Sequence, residues 1–269
     1  MQIKADMQIK ADMEKANRIL VMCLLAFAVF GLQSCLDDCD DNSYYQSSAV
    51  YPNALVTVKT SSTGHLILQL NDSTVLWPVN MEKSPFGDKE VRALVNYRAP
   101  EGKEFEKAIY ADIPNVYINW IDSILTKPTA ENKGEGNQLA YGADPVEIVN
   151  DWVTVAEDGY LTLRFRTRWS RGVQHQVNLV VTGDADNPYK VTFYHNAKGD
   201  VNGSVGDGIV AFRLAGLPDT QGQTVHLTLE WQSYSGTKTT KFKYRTPPYS
   251  MLSTDTPSNL GIKSMMFSL

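Results

Sequence analysis

Tyr160-Leu161-Thr162-Leu163-Arg164-Phe165-Arg166-Thr167-Arg168-Trp169 alternates apolar residues with polar or cationic ones over most of its length. A period of two marks a strand with one face in a core and the other in water. Leu161, Leu163, Phe165 and Trp169 therefore take the core side. His175, Val177, Leu179 and Val181 continue that side beyond the turn Ser170-Arg171-Gly172. Arg164, Arg166 and Arg168 fall on the outward side, next to Gln174, Gln176 and Asn178, and form a cation-bearing surface that is a candidate for binding an anionic ligand such as an acidic sugar. The competing reading is a solvated sheet face whose arginines pair with cross-strand acids and guard against aggregation. Working outward, strand-like runs recur at 146–149, 152–156, 189–195, 209–213, 225–231 and 241–244, with turn signals such as Glu157-Asp158-Gly159 between them. Seven or eight short alternating strands and no helical periodicity predict an antiparallel β-sandwich over residues 146–245.

Upstream, a segment rich in Gly and Pro (Pro128, Gly134, Gly136, Gly142, Pro145) reads as a linker over 128–145. Before it the alternation returns. Ala54, Val56 and Val58 interleave with Leu55, Thr57 and Lys59, and Leu66, Leu68 and Leu70 interleave with Ile67 and Gln69. Asn71-Asp72-Ser73 is a turn ahead of the run 74–79, and further strands follow at 91–97 and 116–121. Five strands over residues 54–127 suit a small closed barrel of the OB type, so the whole chain is predicted to be all-β. Such barrels often bind single-stranded nucleic acid, which requires a cationic groove with stacking aromatics. This segment holds eight basic against nine acidic side chains, and Trp77, Tyr97 and Trp120 sit at alternating strand positions typical of a core. Nucleic acid is not an expected partner.

The 269-residue chain carries a net charge of −5, and its 43% hydrophobic content is that of a globular protein. It opens on a hexapeptide, residues 1–6, repeated at 7–12, which makes Met13 a candidate for the true start. After Lys15 and Arg18 comes an uncharged apolar run at 19–32, too short for the ~20 residues of a membrane-spanning helix but suited to a signal-peptide core. The run ends in Leu32-Gln33-Ser34-Cys35, which resembles a bacterial lipobox with Gln33 in place of the usual small residue. Residues 1–34 are thus read as a lipoprotein signal peptide and Cys35 as the lipidation site. Acyl chains on Cys35 would hold the protein on a membrane with no protein segment crossing it. Cys23 leaves with the signal, so Cys39 keeps the one thiol and no internal disulfide is expected.

Asp37, Asp38, Asp40 and Asp41 supply most of the net negative charge of the mature chain. An acidic run directly after a lipidated cysteine resembles the export signal that takes lipoproteins of the Bacteroides group to the cell surface. Residues 35–53 are accordingly read as an acidic and polar tether, and residues 246–269, rich in Pro, Ser and Thr, as a C-terminal tail. His65, His175, His195 and His226 lie in separate predicted strands without metal-ligand spacing. Asp200-Val201-Asn202-Gly203-Ser204 imitates the start of a calcium loop, but Val205 stands where the turn glycine belongs, and it reads as an ordinary loop. No nucleophile elbow, phosphate loop or paired-carboxylate motif is present in the sequence. No cofactor is called for, and a non-enzymatic role is expected.

The segments 54–59, 70–80, 92–97 and 122–127, together with Val191-Thr192-Phe193-Tyr194-His195-Asn196, resemble the NigD-like lipoproteins of Bacteroidetes. The resemblance covers nearly the whole mature chain up to Arg245. It implies an N-terminal OB domain, a C-terminal β-sandwich and an association with bacteriocin operons in which an immunity role is suggested. It supplies no active-site residues. The expected function is that of a surface-anchored, non-enzymatic lipoprotein of the outer membrane that binds an extracellular protein or peptide. The alternatives are a carbohydrate-binding accessory of a glycan-uptake system and a structural or adhesin component of the envelope.

Overall fold

A computed structural model describes residues 50–61, 64–107, 113–170 and 172–247. The signal peptide, Cys35, Cys39, the acidic residues Asp37, Asp38, Asp40 and Asp41, and the tail beyond residue 247 lie outside the described residues. Five strands, β1 (Ala54–Thr60), β2 (Leu66–Gln69), β3 (Val75–Pro78), β4 (Val91–Arg98) and β5 (Asn115–Ser123), close into a barrel in the order β1-β2-β3-β5-β4. β3 and β5 run parallel, and the other neighbours are antiparallel. The turn at Asn71 forms because its side-chain oxygen accepts the amide N–H groups of Ser73 (3.0 Å) and Thr74 (2.9 Å). Val56, Val58, Leu66, Leu68, Leu76, Val95 and Ile118 fill the barrel.

β1 is buried on both faces from Ala54 to Lys59, whereas an isolated barrel strand would show its outer face to water. Its outward residues meet the second domain. Leu55 packs with Ile124, Val153, Tyr160 and Ala211 in an apolar cluster at the junction. Around that cluster lies a set of buried charges. Lys59 pairs with Asp158 at 2.9 Å, and Arg92, fully buried, donates to Thr57 (3.0 Å) and to Glu157 (2.5 Å). The Tyr160 hydroxyl donates to Glu90 at 2.5 Å, and Glu90 also pairs with Arg213 at 3.0 Å. Asp158 has φ 48° and Gly159 φ 76°, so Asp158-Gly159 forms a two-residue hairpin turn with both residues in the left-handed region. That turn aims the Asp158 carboxylate at the barrel.

Ile124 alone separates β5 from β6 (Leu125–Pro128), which pairs in parallel with β12. The chain therefore enters the sandwich without a free connector. The remaining strands are β7 (Glu147–Val149), β8 (Val155–Glu157), β9 (Tyr160–Trp169), β10 (Gln176–Val181), β11 (Lys190–Asn196), β12 (Ser204–Arg213), β13 (Val225–Ser233) and β14 (Gly236–Tyr244). One sheet is ordered β6-β12-β9-β7 with β8 also on β9, and the other β10-β11-β13-β14. Besides β6 with β12, β11 and β13 pair in parallel, and the remaining pairs are antiparallel. Leu161, Leu163, Phe165, Val177, Leu179, Phe193, Phe212 and Leu229 form the core between the sheets, as the alternation on β9 and β10 predicts. Trp169, placed on the core side by the same alternation, is instead 43% exposed at the end of β9, and its indole N–H donates to the carbonyl of Val173 at 3.2 Å.

Residues 128–145 are tied to the sandwich at several points, although much of the segment is exposed. The Ala130 N–H donates to Leu179 at 2.7 Å, and the short helix α1 (Asn137–Tyr141) sets Tyr141 against Tyr194. Asp144 then donates to the His195 carbonyl at 2.9 Å, and Val146 to that of Gln232 at 3.0 Å. These bonds fill the gap that opens where β11 and β13 diverge. Gly142, at φ +87°, makes this approach possible, since a Cβ there would lie 2.5 Å from the His195 oxygen.

Candidate functional site

The outward face of β9 carries Arg164, Arg166 and Arg168 as the alternation predicts, but β10, with Gln176 and Asn178, belongs to the other sheet rather than adjoining β9, and two of the three arginines are already matched. The antiparallel register with β12 places Asp207 opposite Arg166 and Ile209 opposite Arg164. Asp207 accepts from Arg166 Nε at 2.6 Å and from Arg164 Nη2 at 2.6 Å, and Asp151 accepts from Arg164 Nη1 at 2.8 Å. The hydrogen bonds from Arg166, followed by those from Arg164, pull the Asp207 carboxyl down to about 2. Arg168 contacts the carbonyl of Gly203 at 3.3 Å. The predicted anion-binding row is thus largely an internal ion-pair network. Asp207 and Asp151 carry no sequence motif of their own; the β9–β12 register brings in Asp207, and the segment between β7 and β8 brings in Asp151.

Folding also gathers groups that are far apart in the sequence. Asp200 accepts from the backbone N–H of Ser170 (2.9 Å) and its hydroxyl (2.6 Å), and faces His175 Nε2 at 3.2 Å. His175 Nδ1 lies 2.9 Å from His195 Nε2, whose other ring nitrogen is 3.3 Å from the carbonyl of Asp144. The hydrogen bonds from Ser170 lower the Asp200 carboxyl, and burial, helped by His175, lowers the His195 imidazole. The parts are a serine, an acid and two imidazoles, but the Ser170 hydroxyl is spent on the carboxylate and faces no imidazole. The serine–imidazole contact of a Ser-His-Asp arrangement is therefore not made by Ser170 among the described residues. The array instead ties the 170–175 and 197–200 loops together. No group of His, Cys, Asp and Glu suited to a metal ion occurs among the described residues.

A third feature is an open cleft of about 330 Å³ between barrel and sandwich. Asn53, Asn71, Tyr97, Val155 and Glu157 line it, and Trp152, 53% exposed, stands at its edge. Burial raises the Glu157 carboxyl against the opposing pull of Arg92. Asn53 is engaged with the backbone of Tyr97, donating to its carbonyl (2.7 Å) and accepting its N–H (3.1 Å). No helix among the described residues is long and apolar enough to cross a membrane.

Residues 55–124 match the NigD-like N-terminal OB domain, and residues 128–244 match the NigD-like C-terminal β-sandwich domain. Among solved structures, the chain is similar to a protein of Parabacteroides distasonis described as toxin-related, with 36% identity and a TM-score of 0.59 over 72% of this chain and 92% of that one. It is similar in fold to a protein of unknown function from Bacteroides vulgatus (19% identity, TM-score 0.55, 78% of this chain and 97% of that one). A NigD-like immunity protein of Bacteroides caccae shares the fold at 19% identity and a TM-score of 0.51, over 71% of this chain and 96% of that one. No curated protein matches the sequence. With both domain matches in their expected order on a barrel and a sandwich, the chain belongs to the NigD-like family.

Proposed function

We propose that this protein is a non-enzymatic lipoprotein, anchored through Cys35 on the outer face of the outer membrane, that binds an extracellular polypeptide in an immunity-like role linked to a bacteriocin. The observation that carries this reading is the 36% identity, over 92% of its length, to a protein described as toxin-related. The lipobox-like 32–35 segment and the acidic run after it support the location. The engagement of Ser170 with Asp200 supports the non-enzymatic part, because the best-assembled polar cluster lacks an activated nucleophile.

The reading is tested in two steps. Cys35→Ala is expected to move the protein from the membrane fraction to the soluble fraction, and protease treatment of intact cells to degrade the wild type; a variant that stays membrane-bound refutes the anchor. A deletion strain is expected to become more sensitive to a bacteriocin of its own group and to recover on complementation; unchanged sensitivity removes the immunity role. One observation favours a second reading, a carbohydrate-binding accessory of glycan uptake: Trp152 exposes its ring beside an open cleft, the kind of aromatic surface on which sugar rings stack. Quenching of tryptophan fluorescence by a glycan, abolished by Trp152→Ala, would establish it.

A further inference from the structure

β14 carries Lys241 and Lys243 on its outward face, and Arg245 follows in the same alternation. All three are exposed, and none has a carboxylate within 4.0 Å among the described residues. Nearby cations differ. Lys238 is held by Glu147 at 2.9 Å, and Lys190 by Glu230 at 3.0 Å, which occupies the acid that β13 presents on this face. His226, exposed on β13, stands opposite Lys243 in the register and adds a donor. The other side of β14 is flanked by β8, and Glu147 of β7 reaches it, so a partner has access to the outward face rather than to the strand edge.

Outward side chains on a strand are about 6.6–6.8 Å apart, so the three cations form a row roughly 13 Å long. An extended polypeptide with acids at alternate positions repeats at the same spacing and can meet each cation in turn. A block of adjacent acids would point half its carboxylates away. We infer that the outward face of β13 and β14, at Lys241, Lys243 and Arg245, docks an acidic, extended segment of a partner polypeptide. This deepens the binder reading by naming the surface and the chemistry of the partner. Exposed ion pairs of this kind are individually weak and screened by salt, so the contact is a fast, salt-sensitive one.

The test uses the whole mature protein and two synthetic peptides of equal composition, one alternating Glu with Thr and one with the same glutamates in a block. The alternating peptide is expected to bind at low salt, to bind more tightly than the block peptide, and to weaken as salt rises. Replacing Lys241, Lys243 and Arg245 together by Gln should reduce its affinity at least about tenfold, and Lys243→Gln alone should produce a smaller loss. Arg164→Gln with Arg166→Gln, on the closed row, should leave binding unchanged. Equal binding of the two peptides, full binding by the triple variant, or a triple-sensitive preference for anionic phospholipid vesicles over the peptide would overturn the proposal. The immunity role is judged separately by bacteriocin sensitivity: a strain without protection whose protein still binds the alternating peptide loses the role and keeps the surface.

Discussion

On β9 the guanidinium groups of Arg164 and Arg166 converge on Asp207, whereas Lys241 and Lys243 on β14, and Arg245 just beyond its end, face solvent with no carboxylate among the described residues at hand. The two rows are written the same way, as cations at alternate positions of a strand. They differ in what stands across the sheet. β12 brings Asp207 to the first row, while β13 offers the second His226 and Thr228. Alternation decides which face a charge occupies, and the register of the neighbouring strand decides whether that charge remains available. Lys59 and Arg92 mark the far end of this scale, cations enclosed at the barrel–sandwich junction with partners fixed by folding.

The largest effect is expected at that buried end. Asp158→Asn tolerates the positive φ but removes the carboxylate that pairs with the buried Lys59 at 2.9 Å, and should cost about 3–5 kcal/mol in chemical denaturation. Replacing Lys59 by Met in the same chain should recover part of that loss; if it does not, the pair does not hold the junction. At the closed row, Asp207→Asn should cost only about 0–1 kcal/mol at neutral pH and release the Arg166 guanidinium, while Arg164 stays held by Asp151 at 2.8 Å. If register alone separates the two rows, this variant should acquire affinity for the alternating acidic peptide, read by the same titration. The same carboxylate has a pH signature. Its folded value of about 2 lies below the ordinary ~3.9, so its contribution is complete above about pH 4 and disappears as the pH falls through 2. Melting curves of wild type and Asp207→Asn should converge across that window. The smallest change is expected from Trp152→Ala, whose half-exposed ring should shift stability by no more than about 0.5 kcal/mol, so any loss of glycan quenching would report on binding rather than folding.

The barrel strands and the β9–β10 core face were legible because Val56, Val58, Leu161 and Leu163 show an unbroken period of two. The first half of β12 was not. Gly206 and Gly208 break the pattern, so the strand is read from Ile209 and Asp207 escapes notice. Gly208 has a packing reason: a Cβ there would lie 2.6 Å from Phe165 Cζ, so the ring occupies the room a side chain would need. The segment 128–145 resembles a linker in composition, since its glycines and prolines signal irregular backbone and say nothing about what that backbone packs against. His175, just before β10, meets His195 on β11, a proximity that spacing along the chain does not encode. The open row on β14 was half visible: 241–244 reads as a strand, but nothing in the letters says that Glu230 is already taken by Lys190.

β1 is paired with β4 from Ala54 to Val58 and with β2 from Thr57 to Thr60, both antiparallel to it, and is buried on both faces from Ala54 to Lys59. A pull on the chain ahead of residue 54 would therefore enter the molecule along the axis of its most enclosed strand. The hydrogen bonds on either side would be loaded in shear and would have to fail together rather than peel one by one. Under the proposed amino-terminal tether, that geometry would place mechanical resistance in the first strand met by a pull from that end.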